Sequence, residues 1–413
     1  MPRLLLLLPT TTYRAAAFLD AAARLGVEVA VASEEANALE AVNPAGLLTL
    51  DWRDPEAAAR RAVELSRDRP FDAVVGVDDD TAVAAAAIAR ALGPPHNPVP
   101  AAAAARHKGQ MRDRLSAAGV PVPRHRVFRR ADGSESAAAS VRYPCVLKPT
   151  FLAASRGVIR ADDPAAFAVA WQRIGVILDD PEVARRGGGA AGEILVEDFV
   201  PGREVALEGL LTAGALRVLA LFDKPDPLDG PFFEETIYVT PSRLPEATQD
   251  AIARTAAAAA RALGLTEGPV HAELRLAPSG PVVIELAARS IGGLCSRTLR
   301  FGTGMSLEEL ILRHALRLPA EAPRDQAAAG VLMIPIRRRG TLERVTGLEE
   351  ARAVIGIVEA TITLRPGQEL IPLPEGSRYL GFLFSRAEKP EEAERALREA
   401  HSKLGFETKQ VSG

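Results

Sequence analysis

The chain has 413 residues, a quarter of them charged, and its formal net charge is −3. This near balance argues against a general nucleic-acid binder or a polybasic membrane-surface protein. The length predicts roughly two to four domains. The cysteines, Cys145 and Cys295, lack ligand spacing and are typical of packed thiols in a reducing compartment. No stretch approaches the roughly 20 apolar residues of a membrane helix, so we expect a cytoplasmic protein without a membrane span.

The first 100 residues alternate between strand and helix patterns. An apolar strand at 4–8 precedes an alanine-rich helix at about 14–25 and a second strand at 27–32. A strand at 71–77 and a helix at 81–92 repeat the pattern, which predicts a small parallel α/β domain. Loops 9–12 and 78–80 follow strands, at the edge where such sheets bind ligands. Helix N-capping explains both loops too, and we favour it.

A proline-rich break at 94–100 predicts a domain boundary, and a helix at 101–118 carrying Lys108 and Arg112 follows it. Further on, a strand ending at Lys148 leads into a small-residue loop. A lysine at this position is either a solvated surface residue or a ligand-binding group. Domains are predicted at 1–100, 101–320 and 321–413. Beyond residue 120, strands are predicted at 145–148, 157–160, 194–200, 204–212, 215–222, 270–276 and 281–286, and helices at 163–174, 246–263, 307–316 and 390–404.

The hairpin at 270–286 is the strongest chemical signal. Its turn places Glu273 almost opposite Glu285, where the two Cβ atoms would lie roughly 5 Å apart and the carboxylates would repel. A cation between them removes the repulsion, and carboxylate oxygens suit Mg²⁺. Alternatively, one glutamate pairs with Arg275 or Arg289. A second segment, at 195–208, has Glu204 at a strand start, where it either accepts sugar hydroxyls or is simply exposed.

Taken together, these motifs resemble those of the ATP-grasp superfamily of carboxylate–amine ligases. In chain order they are a helical lysine (Lys108), a strand lysine before proline (146–149), a small-residue loop (153–157), a hinge (196–204), Glu273 and the segment 284–293. The order is most similar to the branch of L-amino acid ligases and carnosine-synthase-like enzymes. The resemblance implies a multidomain fold of mixed α/β and α+β class. Its parts would be an N-terminal parallel α/β domain, a two-part ATP-grasp module with a flexible ATP lid at about 125–195, and a small C-terminal α+β unit.

The resemblance also implies roles for individual residues. Arg289 and Lys148 would act on the transferred phosphoryl group, and Glu273 and Glu285 would bind one or two Mg²⁺ ions, or Mn²⁺. Ala287 stands where the family often has an asparagine ligand, so the number of ions stays open. The residues implied for ATP are Lys108, Lys148, Ser155, Gly157, Glu197, Asp198, Phe199, Val200 and Glu204.

The implied reaction is amide or peptide-bond formation from ATP, a carboxylate and an amine, through an acyl-phosphate that releases ADP. Amino acids are the expected substrates, and a homodimer is common in resembling enzymes. His271 is more typical of a packed histidine than of a catalytic base. Alternatives are activation of bicarbonate or formate, an adenylate-forming synthetase, and a non-catalytic ATP-binding module. The candidates for substrate contact are Lys224, Glu235, Gly292, Gly293 and Arg297.

Overall fold

A computed structural model describes residues 1–36, 40, 43, 46–320, 323–325 and 327–409. Short 3₁₀ helices lie at Arg130–Asp132, Gly188–Gly192 and Cys295–Thr298. The α-helices are α1 (Ala15–Leu25), α2 (Pro55–Ser66), α3 (Asp79–Leu92), α4 (Val99–Arg106), α5 (Lys108–Ala117), α6 (Ser134–Ala138), α7 (Pro164–Asp179), α8 (Pro181–Gly187), α9 (Glu246–Leu263), α10 (Leu307–Ala315), α11 (Leu348–Arg352) and α12 (Pro390–Lys403). The strands are β1 (Arg3–Leu7), β2 (Glu28–Ser33), β3 (Leu47–Thr49), β4 (Ala73–Gly76), β5 (His125–Arg129), β6 (Cys145–Pro149), β7 (Ile159–Ala161), β8 (Glu193–Asp198), β9 (Glu204–Thr212), β10 (Ala215–Asp223), β11 (Ile237–Thr240), β12 (Gly268–Ala277), β13 (Gly280–Ala287), β14 (Arg300–Phe301), β15 (Met305–Ser306), β16 (Ala328–Ile334), β17 (Gly340–Thr346), β18 (Ile357–Ile362), β19 (Glu369–Leu370), β20 (Gly381–Ala387) and β21 (Gly405–Lys409).

The N-terminal part has the predicted parallel sheet. Its strand order is β3-β2-β1-β4, and every neighbouring pair is parallel. β1 is buried along its whole length, as its leucine run predicts. Gly26 ends α1 with φ of 62°, a left-handed conformation that glycine adopts at little cost. Because β1 and β4 are parallel neighbours, their carboxyl ends lie side by side at one edge of the sheet.

The predicted helix at 101–118 is wrong in one respect, because the structure breaks it in two. His107 lies between α4 and α5 with an extended backbone, and its ring accepts a hydrogen bond from the N–H of Gln110. The N–H of Lys108 donates to the carbonyl of Thr150 at 2.7 Å. Lys108 is consequently the first residue of α5, tied to the segment that follows the Lys148 strand.

Residues of the predicted lid form a small body with their own antiparallel sheet, of strand order β5-β8-β6-β7. α7 packs on this sheet, and Phe167, Trp171 and Ile174 are buried between them. Phe167 stacks on Trp171 at 5.8 Å between ring centroids. The bounds of the lid at about 125–195 and its movement stay predictions.

The C-terminal segment is continuous with the ATP-grasp part, although a separate third unit is predicted from residue 321. β16, β20 and β18 extend one antiparallel sheet of order β13-β12-β9-β10-β11-β16-β20-β18. The remaining strands β19, β17 and β21 form a smaller sheet. Residues 321, 322, 326 and 410–413 of the predicted unit lie outside the described residues. The sheet thus crosses the predicted boundary, because β11 pairs directly with β16.

One hydrophobic core joins the N-terminal domain to the large sheet. Leu6 and Phe18 from the first domain, Leu310 from α10 and Phe382 from β20 all belong to it and are almost fully buried. This packing holds the first sheet against the large sheet. Within the described part of the chain, no helix has the length and apolar composition that a bilayer crossing demands.

Candidate active site

A cavity of about 320 Å³ lies where the N-terminal domain, the lid and the large sheet meet. Most residues that the sequence singled out line it. Gly157, Lys224 and Arg297 do not belong to its lining. The predicted residues in its lining are Lys108, Lys148, Ser155, Glu197, Asp198, Phe199, Val200, Glu204, Glu235, Glu273, Glu285, Arg289, Gly292 and Gly293.

Lys148 enters the cavity from β6 and is held by a buried carboxylate. Its Nζ lies 2.6 Å from Oε2 of Glu197 on the neighbouring β8, and Arg112 bonds to the other oxygen of Glu197. Burial opposes ionisation of Glu197, but the attraction of Arg112 and Lys148 outweighs it and lowers the pKa of Glu197 to about 2. The side chain of Lys148 is 9% exposed, so it is not a solvated surface lysine.

Lys108 reaches the cavity from the first turn of α5. Its Nζ donates to the carbonyl of Leu152 at 2.8 Å and lies 3.2 Å from Oε1 of Glu285. This lysine therefore links the loop after β6 to the hairpin of β12 and β13. Both cationic groups line the same cavity, and such an arrangement suits the binding of a polyphosphate.

The hairpin has the predicted register. Glu273 on β12 is paired with Glu285 on β13, and a bulge follows between Glu273 and Leu274. The arginines offered as alternative partners bond elsewhere. Arg275 donates to Glu204 at 3.0 Å and to the carbonyl of Val200 at 2.7 Å, and Arg289 donates to Asp79. The opposed carboxylates therefore remain directed at the cavity.

A buried lysine lies among three carboxylates under this site. Lys224 Nζ is 2.8 Å from Glu204 and 3.3 Å from Glu273, and it also bonds to Glu235. One oxygen of each carboxylate lies within 4.8 Å of the others. Burial raises the pKa of Glu235 to about 7 despite Lys224, whereas Lys224 and His271 hold the pKa of Glu273 well below its usual range against the cost of burial.

The residues present fit a magnesium ion bound by two carboxylates. Glu273 and Glu285 come from paired positions on facing strands and both line the cavity, so they offer the two carboxylates that such an ion takes. Ala287 also lines the cavity and offers no side-chain oxygen. Further ligands would come from substrate or water, as is common for Mg²⁺, or from the neighbouring carboxylates Glu204 and Glu235.

Asp79 connects the N-terminal domain to Arg289, and sequence analysis missed it. Nε and Nη2 of Arg289 donate to Oδ2 of Asp79 at 3.0 and 2.8 Å. Burial disfavours both charges, but their attraction raises the pKa of Arg289 and lowers that of Asp79. The neighbouring Asp80 pairs with Arg106 and Arg186. Asp78 is the N-cap of α3, as the preferred N-capping interpretation predicts, but capping does not explain the ion pairs of Asp79 and Asp80.

His271 is packed, as predicted. Its Nδ1 lies 3.2 Å from Oε2 of Glu208, which also accepts a hydrogen bond from the N–H of Ile291 at 3.0 Å. Burial opposes protonation, but Glu208 and Glu273 outweigh it and raise the pKa of His271 to about 9. His271 thus contacts Glu273 directly. Through Glu208 it also supports the position of Ile291, in the segment that follows Arg289.

The loop after Lys148, residues 151–157, folds against the C-terminal segment. The N–H of Gly157 donates to the carbonyl of Pro374 at 2.8 Å, and Arg156 donates to the carbonyl of Glu375. Gly157 has φ of 74°, and a Cβ there would lie 2.7 Å from Pro149. Glycine is therefore required at this close approach, which explains its place in the motif without a direct ligand contact.

Arg297 is not brought to the cavity. It bonds to Glu359 on β18, and its guanidinium lies 5.8 Å from the ring centre of Phe384. The glycines before it, Gly292 and Gly293, do line the cavity. The sequence could not separate these positions, because the 3₁₀ helix at Cys295–Thr298 turns Arg297 toward the C-terminal strands.

Family models match three successive parts of this chain. Residues 19–96 match an ATP-grasp N-terminal domain, residues 141–298 an ATP-grasp domain, and residues 332–409 the L-amino acid ligase C-terminal domain 2. The chain carries an ATP-grasp N-terminal domain and an ATP-grasp domain. The order of these ATP-grasp parts confirms the predicted resemblance and the predicted multidomain fold.

Curated relatives cover part of this ATP-grasp chain. Carnosine synthase 1 of Gallus gallus is 29% identical over 321 residues, which are 72% of this chain and 34% of that protein. Alanine–anticapsin ligase of Bacillus subtilis is 28% identical over 227 residues, 52% of this chain and 47% of that protein. The chain therefore spans less than half the length of these two relatives.

Solved structures extend the likeness to the whole chain. The crystal structure of L-amino acid ligase from Bacillus licheniformis superposes with a TM-score of 0.80 at 28% identity, covering 99% of both chains. The structure of phosphoribosylglycinamide synthetase from Anaerococcus prevotii superposes with a TM-score of 0.67 at 16% identity, covering 99% of this chain and all of that one. At that identity the second likeness shows the fold alone.

Proposed function

We propose that this protein is an ATP-dependent carboxylate–amine ligase that acts on amino acids. It forms an amide through an acyl-phosphate and releases ADP and phosphate. The observation that carries the proposal is the convergence of Lys108, Lys148, Glu273, Glu285 and Arg289 on one cavity. Phosphoryl transfer needs positioning and charge neutralisation more than covalent chemistry, and these five residues supply both.

ATP would lie between the lid and the large sheet. Lys108 and Lys148 would contact its phosphates, and Ser155 in the loop 151–157 would close over them. The backbone of the segment from Glu197 to Val200 would bind adenine. Both oxygens of Glu204 are held, by Lys224 and Arg275, so this carboxylate is already oriented for the ribose hydroxyls.

The substrate carboxylate would attack the γ-phosphate, and Arg289 would hold the charge of the transferred group. Glu273 and Glu285 would hold Mg²⁺, as one or two ions or with Mn²⁺ in its place, and that ion would neutralise phosphate charge. The amine then attacks the acyl carbon and expels phosphate. The loop 151–157 excludes water, which would otherwise hydrolyse the acyl-phosphate.

The likeness to an L-amino acid ligase over the whole chain supports amino acids as substrates. The names of two curated relatives, carnosine synthase and alanine–anticapsin ligase, also favour amino acids as substrates. Activation of bicarbonate or formate has no comparable support, since the purine-pathway likeness above shows only the fold. Glu235, Gly292 and Gly293 line the cavity and are proposed to contact the substrates.

The test is ADP release from ATP and Mg²⁺ with amino acids offered singly and in pairs, with product masses measured. We expect release that requires a specific pair and a product equal in mass to the pair less water. Glu285→Ala should lower the rate by at least about 10³-fold, because the phosphate charge loses its counterion. Glu343→Ala, at an exposed strand position, is the control.

Two outcomes would contradict the proposal. AMP as the product would indicate an adenylate-forming enzyme. Tight ATP binding without release for any pair would indicate a binding module or a different acid. The predicted homodimer is checked separately, by light scattering of the purified chain.

A further inference from the structure

We propose that one end of the cavity binds the uncharged, apolar side chain of one amino acid substrate, an inference that rests on the proposed ligase function. We call this end the apolar subsite. It is formed by Tyr13, Gly293, Cys295, Met333 and Tyr379, all of which line the cavity. These residues come from three parts of the chain: the loop before α1, the segment after Arg289, and the C-terminal strands and loop.

The subsite has one continuous wall. Cys295 Sγ lies 3.7 Å from Met333 Sδ, so the 3₁₀ helix and β16 meet there. Tyr13 and Tyr379 each contact Phe382 edge-on, at 5.9 and 5.8 Å between ring centroids. Aromatic rings and sulfur atoms are polarizable and adaptable, and they are typical of pockets that receive apolar or aromatic groups.

Gly293 leaves room beside this wall. A Cβ there would lie 3.4 Å from Phe382 and 3.9 Å from the sulfur of Cys295. A side chain at this position would therefore start between two wall residues. Its φ of 58° also favours glycine. The absence of a side chain lets a ligand approach the backbone that follows Arg289.

The subsite carries no charge at neutral pH. Burial, together with Glu235, raises the pKa of Cys295 to about 12, and the same causes hold the pKa of Tyr379 well above its usual range. Glu235 lies at the border, where it accepts a hydrogen bond from Tyr238 at 2.6 Å and bonds to Lys224. A lysine or glutamate side chain in the subsite would lose its hydration, and the five residues that form the subsite offer it no charged partner.

A polar group lies beside the apolar wall. The hydroxyl of Tyr13 is buried and has no hydrogen-bond partner among the described residues. An unsatisfied buried hydroxyl is destabilising, and a ligand atom at the cavity would relieve it. A hydroxyl next to an apolar surface matches an amino acid, whose polar main-chain groups adjoin its side chain.

The first measurement is calorimetric binding of single amino acids to the full chain with Mg²⁺ and a non-hydrolysable ATP analogue. We expect methionine, leucine and phenylalanine to bind at least about 10-fold more tightly than lysine or glutamate. Tighter binding of the charged amino acids would overturn the inference, and so would binding of none.

Turnover with the same amino acids separates this inference from the proposed function. Amide formation that prefers charged side chains at both positions would leave the ligase standing and overturn the apolar subsite. Tight binding of apolar amino acids without ADP release from any pair would support the subsite and overturn the ligase.

Met333→Ala tests the wall itself. The cavity enlarges, and we expect the ratio of kcat/KM for phenylalanine to that for methionine to rise about 10-fold. Leu332→Ala is the matched control, since the adjacent residue is equally buried, 3% exposed in both cases, and packs in a different core. An unchanged ratio in Met333→Ala, or an equal change in Leu332→Ala, would overturn the assignment of Met333.

Discussion

Glu197 shows how a single buried carboxylate can organise two cationic side chains. Its oxygens are divided between Arg112 and Lys148, and its side chain is 2% exposed. Because the pKa of Glu197 falls from an ordinary 4.5 to about 2, the folded state holds this group ionised more strongly than the unfolded chain does. The stabilisation is therefore complete above about pH 4.5 and is lost as the pH falls toward 2.

We expect Glu197→Gln to weaken the acid dependence of stability. The wild type should lose on the order of 3 kcal/mol from this group between about pH 4.5 and pH 2, and the variant should not. Urea unfolding at a series of pH values measures the difference. Glu388→Gln, at an exposed loop position, should leave the acid dependence of the wild type intact. Parallel curves for wild type and Glu197→Gln would contradict the prediction.

At the scale of elements, α7 of the lid is fastened to the C-terminal segment. Arg173 on α7 donates to both oxygens of Glu375 at 2.9 Å, and Arg156 bonds to the carbonyl of the same residue. The loop 151–157 and the loop that carries Tyr379 are therefore tied together. This arrangement predicts that closure over ATP also positions the wall of the apolar subsite.

We expect Glu375→Gln to loosen the lid. The KM for ATP should rise about 3-fold, because a partly exposed ion pair contributes at most about 1 kcal/mol. Hydrogen exchange of residues 151–157 should become faster with the ATP analogue bound. The matched control is Asp179→Asn, which removes a similar two-bond pair with Arg130 inside the lid. Equal effects of the two variants would contradict a role for the fastening.

At the scale of the whole molecule, Asp79 links the N-terminal domain to Arg289, which we propose to act in the chemistry. Asp79 begins α3 and holds Arg289, which belongs to the segment after the β12–β13 hairpin. The shared hydrophobic core keeps the two parts together, so the orientation of Arg289 depends on the contact between domains. Asp79 does not need to touch substrate, and we regard it as a positioning residue.

We expect Asp79→Asn to lower kcat about 10²-fold, because a misplaced Arg289 no longer meets the developing charge. The KM for ATP should change less than about 3-fold, since the groups proposed for ATP remain in place. Asp79→Glu should recover part of the rate, as it restores the charge. A rise in KM with kcat unchanged would indicate that Asp79 binds ATP and does not position Arg289.

Local sequence patterns predicted the structure correctly wherever the contacts that determine it lie between residues near in sequence. The β12–β13 register follows from one short turn, so the opposition of Glu273 and Glu285 was predictable. The break at His107 was not, because it depends on a hydrogen bond from Lys108 to Thr150, far along the chain. The pairing of β16 with β11 is also long-range, and the residue pattern of a strand does not indicate which other strand it pairs with.

By itself, the sequence determined the kinds of elements, the hairpin register and most of the cavity-lining residues that we propose for ATP, because these depend on periodicity, turns and motif order. Tertiary structure alone decided which charges meet. It paired Asp79 with Arg289, placed Lys224 among three carboxylates, and turned Arg297 away from the cavity. Electrostatic partners are set by distance in space, and packing between domains brings together residues more than 200 positions apart.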